Sequence, residues 1–149
     1  MSTALRWIVS VGLAFLLPAV AHADGTAGDE AAKKLARAAM DKSYNAGDFD
    51  VALRKLGQGV TLCRSKGCSP HVNAQLLGSM AIVHWVGTED QAAATEDLRA
   101  MVKADPTFQL EDTNAPPELV DALDAVRAEA KRGAKAGVAA PSPAVATMT

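Results

Sequence analysis

Apolar positions fall into two regimes along the chain. From Trp7 to Ala21 they run almost unbroken, and from Asp29 onward they recur at intervals of one, three or four residues, the signature of one buried face of a helix. The second regime predicts five helices. The first covers Asp29–Asn45, with Ala32, Leu35, Ala39 and Met40 on its apolar side, and Gly47 in "AGD" is placed to take a left-handed cap. The second covers Phe49–Arg64 and buries Ala52, Leu53, Leu56, Val60 and Cys63. Gly57 and Gly59 lie inside it, and each costs roughly 1 kcal/mol of helix propensity relative to alanine. That cost is tolerable where a neighbouring helix must come close.

Ser69-Pro70 reads as an N-cap followed by proline in the first turn, opening a third helix that runs to Val86 with Val72, Leu76, Leu77, Met80 and Val83 as its stripe. "GTED" makes the next turn, with Thr88 as the expected N-cap of a fourth helix that buries Ala94, Leu98, Met101 and Val102 and stops at Asp105-Pro106. In the connection that follows, Phe108 and Leu110 are expected to tuck under the helices. Pro116-Pro117 open a fifth helix to Arg132, carrying Leu119, Leu123, Val126 and Ala130 at helical spacing. No segment after residue 23 alternates polar and apolar over strand length. The expected fold is all-α: two antiparallel helix-turn-helix hairpins and a C-terminal capping helix. Residues 24–28 and the Ala/Pro-rich 133–149 lack the apolar content to offset ordering, and a flexible N-terminus and a disordered tail are expected there.

The unbroken run has a different meaning. A charged start with Arg6, a short apolar core interrupted by Pro18, and Ala21-His22-Ala23 at its exit describe a secretory signal peptide over residues 1–23, cut after Ala23. The run falls short of the ~20 residues that span hydrocarbon, so an integral membrane protein is not expected. No cysteine near the cut supports a lipid anchor. The expected location is the periplasm or exterior of a Gram-negative cell. The full chain has 15 basic and 17 acidic residues, and losing Arg6 leaves 14 against 17. These charges are interspersed, without the basic footprint that nucleic acid requires.

"YNAGDFDVALRKLGQGVTL" resembles the tetratricopeptide repeat family at several positions together: Tyr44, Gly47, Asp48, Phe49, Ala52 and Leu53, with Leu56 at a large apolar position. A second, weaker copy ends in "LRAMVKADP", where Asp105 and Pro106 match the family's closing pair. "GTED" lacks the aromatic of the first turn, and the first copy has the cysteine loop where the closing pair belongs. The resemblance implies a domain over 29–132 acting as an interaction module or scaffold. It also implies a peptide or partner helix held on the inner face formed by the first helix of each hairpin. In the better copy that face presents Lys34, Arg37, Asp41, Tyr44 and Asn45. The competing reading of these five is a solvated helix face.

"LCRSKGCSPH" is the one stretch where chemistry is concentrated. In an oxidising compartment Cys63 and Cys68 are expected to pair as a structural disulfide at the junction of the second and third helices. The alternative is a small envelope redox or metal-handling protein using Cys63, Cys68 and His71. The redox form lacks Cys-x-x-Cys, and the metal form lacks a fourth ligand, because His84 lies about 20 Å beyond His71 along one helix. His84 and Trp85 read as packing residues, and Glu111-Asp112 as solvated acids. No Gly-rich phosphate loop, nucleophile elbow or His-Glu-x-x-His occurs, so neither an enzyme nor a cofactor is expected. A third reading is a subunit completed by oligomerisation, since so short an array leaves apolar surface at one end.

Overall fold

The computed structural model describes residues 27–110 and 115–138. The signal-peptide reading of 1–23, Glu111-Asp112 and the chain after Val138 lie outside the described residues. Five helices and no strand occur among the described residues, and none of these helices is long and apolar enough to cross a membrane. They are α1 (Asp29–Arg37), α2 (Phe49–Lys66), α3 (Pro70–Ile82), α4 (Gln91–Ala104) and α5 (Pro117–Val138). α1 and α3 each continue without a break into a π-helical stretch, Ala38–Tyr44 and Val83–Gly87.

The expected ends hold in most places. Gly47 has φ +80°, a conformation that glycine adopts without steric cost. Ser69 Oγ accepts the Val72 N–H at 3.4 Å, with Pro70 behind it. The fourth helix is a correction: its N-cap is Asp90, not Thr88. Asp90 Oδ1 accepts the Ala93 N–H at 2.9 Å, while Thr88 Oγ1 turns back to the His84 carbonyl at 3.2 Å. The π-helical end of α3 runs to Gly87 with Thr88 as its C-cap, so the next helix starts two residues later than read. α5 also runs past Arg132 to Val138, and Ala130 on it is exposed rather than buried.

The apolar side chains form two clusters that share α3. Val72, Leu76 and Val83 pack with Ala32, Ala36, Ala39, Ala52, Leu56 and Cys63 from α1 and α2. Ala74, Ala81 and Ile82 face the other way, towards Leu98, Met101 and Val102 of α4, Leu119, Leu123 and Val126 of α5, and the connection residues Phe108 and Leu110. Phe108 and Leu110 are 8% and 7% exposed, so they do tuck under the helices. A helix apolar on two sides belongs between layers, and the single stripe read for the third helix missed its second face. Among the described residues Val86 is the exposed large apolar side chain.

Positions 42 residues apart, beginning with Asp48 and Asp90, play matching parts. Asp48 and Asp90 are both N-caps, with φ, ψ of −84°, 63° and −89°, 82°. Gly47 and Glu89 both have positive φ. Ala32 and Ala74, Ala39 and Ala81, Ala52 and Ala94, and Leu56 and Leu98 are all fully buried. The same offset pairs the π-helical ends of α1 and α3.

The two glycines of α2 separate on packing. A Cβ on Gly59 would lie 2.6 Å from Leu76 Cδ2, whereas one on Gly57 would meet nothing within 4 Å. Gly57→Ala is therefore expected to raise stability by about 0.5–1 kcal/mol through helix propensity, and Gly59→Ala to lower it by about 1–3 kcal/mol through overpacking. Urea unfolding of the two variants checks this. Equal effects would remove the close α2–α3 approach as the reason for Gly59.

Candidate functional site

The cysteine stretch closes the corner between α2 and α3. Gly67, at φ +76°, lets the chain reverse and donates its N–H to the Cys63 carbonyl at 3.0 Å. Cys63 and Cys68 are joined, Sγ to Sγ at 2.11 Å, with Cα atoms 4.7 Å apart. The corner is anchored to the start of α1, where the 2% exposed Asp29 accepts the Ser69 N–H on Oδ1 at 2.7 Å. His71 is engaged by other residues. Its Nδ1 lies 3.5 Å from Asp105 Oδ2, and its ring meets Phe108 edge-on at 5.1 Å. Among the described residues no three His, Cys, Asp or Glu side chains converge as a metal site. Cys63, Cys68 and His71 thus share a region without forming one donor set.

Asp105 and Pro106 end α4 as read from the sequence. The Asp105 carboxylate accepts both the Thr107 hydroxyl, at 2.7 Å, and the Thr107 N–H, at 2.9 Å. These two bonds, aided by His71, hold its pKa below the ordinary aspartate value.

The five residues assigned to a partner face separate into two sets. Arg37 and Asp41 line a groove of about 300 Å³ between α1 and α3. Lys34 and Asn45 are exposed elsewhere on the same helix and its continuation, and Tyr44 is half-buried with its ring 5.7 Å from Phe49. Sequence reasoning missed the opposite wall, formed by Gln75, Gly78, Ser79 and Ile82 of α3, and the apolar end formed by Phe108 and Leu110. Gln75 and Ser79 sit outside the apolar stripe read for α3, so nothing in that stripe marked them. Small residues make the space: Ala36 on α1 and Gly78 on α3 are paired by the 42-residue offset and both line the groove. A Cβ on Gly78 would already touch Leu110 and Met101 at 3.0 Å.

A polar tie fastens each π-helical stretch to the helix that follows it. Lys55 of α2 donates to Ser43 Oγ at 2.8 Å and to the Ala38 carbonyl at 3.3 Å. At the position 42 residues further on, Asp97 of α4 meets His84 Nδ1 at 2.8 Å. His84 is a packing residue with a satisfied ring nitrogen, as its sequence context suggested. Burial raises the Asp97 carboxyl pKa above the ordinary value and Glu96 adds to this, while His84 works against it.

Comparison of the chain with protein-family models, with curated proteins and with solved structures gives no match.

The corner predicts that the unfolded, unreduced chain titrates with no free thiol. Replacing both cysteines by serine should lower stability by about 2 kcal/mol, the loop-entropy contribution of so short a ring. Two reactive thiols in that assay would remove the clip. The His84–Asp97 tie predicts that His84→Ala costs about 1–3 kcal/mol at neutral pH, because it strands a half-buried carboxylate. Asp97→Asn should cost less. With its folded pKa raised, Asp97 favours folding progressively as pH falls through that raised value, and the gain is complete below the unfolded value of about 3.9. Asp97→Asn should therefore flatten the stability profile between neutral pH and pH about 4. An unchanged profile in urea titrations would contradict the assignment.

Proposed function

We propose that this chain is an exported, tetratricopeptide-like interaction module that holds a peptide or helix of a partner protein in the groove between α1 and α3. The observation that carries the reading is the groove itself. It is lined by the first helix of each matched pair, with Met40, Ile82, Phe108 and Leu110 as apolar surface and Arg37, Asp41, Gln75 and Ser79 as polar rim. An apolar trough with a few polar groups at its edge suits helix-in-groove or extended-peptide recognition. The recurrence of buried small residues and N-caps at a 42-residue offset supports two copies of one helix-turn-helix unit, with α5 as the cap. That offset exceeds the roughly 34 residues of the tetratricopeptide repeat, so the likeness lies in construction rather than in repeat length.

The periplasmic placement rests on the apolar leader and agrees with the joined cysteines, which oxidising compartments favour. The redox and metal reading has less support, because the sulfurs are bonded to each other and His71 is engaged by Asp105 and Phe108.

Filling the groove tests the proposal. Ser79→Trp and Arg37→Glu should each reduce recovery of a defined partner from a bacterial envelope extract at least ten-fold, with the helical circular dichroism and melting temperature retained. Identical partner recovery by the wild type and both variants would overturn it.

A further inference from the structure

A second groove shares no lining residue with the first. It is a trough of about 560 Å³ between α4 and α5. Its apolar surface comes from Val102, Pro106, Val126, Ala130 and Ala134. The last three lie at i, i+4 and i+8 on α5, so they form one line along that helix. Val126 is 5% exposed and belongs to the core, whereas Ala130 and Ala134 are exposed. α5 therefore runs beyond its own packing partner and offers an uncovered wall of small side chains.

The rim is mostly cationic. Arg99 and Lys103 stand four residues apart on α4, and Arg127 and Lys131 stand four apart on α5. The one carboxylate in the lining, Glu129, is held by Arg99 at 3.3 Å. Arg127 is engaged by the Phe108 carbonyl, Gln109 and Asp124. Lys103 and Lys131 enter no ion pair among the described residues. The chain as a whole carries more acids than bases, 17 against 15, so this cationic rim is a local reversal of its charge.

We infer that the α4–α5 groove docks an acidic amphipathic helix of a partner protein, lying along the trough between the two helices. Two basic rows at four-residue spacing, either side of an apolar line, complement a helix with a small apolar stripe flanked by Glu or Asp at i, i+4. Small side chains on the α5 wall permit close axial approach. The segment of this chain after Val138 cannot supply that complement, since residues 139–149 contain no acid. Complementary charge acts chiefly on orientation and association rate, so binding should also weaken as salt rises.

The test is a selection of random 16-residue peptides displayed against the purified chain. Enriched peptides should carry Glu or Asp at three- or four-residue spacing beside an apolar stripe. They should bind the Lys103→Glu/Lys131→Glu variant at least ten-fold more weakly, and crosslink to a photoreactive benzoylphenylalanine placed at position 134. Ser79→Trp should leave this binding unchanged, which separates the result from that for the α1–α3 groove. Lack of enrichment, peptides of basic or uncharged sequence, or equal binding to the charge-reversed variant would overturn the assignment. So would a wild-type dimer in sedimentation that the charge reversal dissolves, because the occupant would then be a second copy.

Discussion

α3 must be buried on two sides at once, and the rest of the molecule is arranged around that requirement. Leu76 and Val83 are fully buried in the cluster with α1 and α2, while Ala74 and Ala81 on other faces of α3 are fully buried in the cluster with α4, α5 and the Phe108–Leu110 connection. At roughly 25 cal/mol per Å² of apolar area removed from water, a helix shared between two clusters contributes more than one lying on a surface. The cost is room. Bulky side chains on every face would hold the neighbours apart, so alanine and glycine are interspersed among the large residues that meet α3. Gly59 gives way to Leu76, and Ala36 sits across from Gly78 in the groove. The groove is thus a by-product of close packing by small residues, not a separate feature added to the fold.

Polar groups then fix the geometry that apolar packing leaves loose. Asp29 receives the Ser69 N–H and ties the start of α1 to the corner where α3 begins. Lys55 and the His84–Asp97 pair fasten the two π-helical ends to the helices that follow them. Those two ties use opposite charges at matching positions, a lysine on α2 and an aspartate on α4. The two positions, 42 residues apart, each carry a polar link across a turn, and the chemistry of the two links differs. Gly67 ends α2 and the disulfide closes the corner behind it, while Asp105-Pro106 ends α4.

Much of this was legible in the residues. Helical periodicity identified five helices, and glycine and proline marked most of their ends. The Ser69-Pro70 start, the Gly47 turn and the burial of Leu98, Met101, Phe108 and Leu110 follow directly from local rules. The Asp90 cap did not, because the π-helical end of α3 absorbs extra residues and nothing local announces it. Periodicity also showed one face of α3 and concealed the other, since alanine and glycine carry little hydrophobic signal. Of the five residues assigned to a partner face, Arg37 and Asp41 reach the groove, and their partners Gln75 and Ser79 had no marker in the chain.

The sequence by itself determined the helical class, the corners and the pairing of Cys63 with Cys68, because each depends on residues within one or two turns of each other. Tertiary structure alone decided which faces meet. It set the two-sided burial of α3 and the two grooves, one between α1 and α3 and one between α4 and α5. Those features arise from side chains far apart in the chain, whose shapes and charges acquire meaning only once the helices are packed. A lysine such as Lys103 reads as one solvated charge among many until α5 places Lys131 across the same apolar trough.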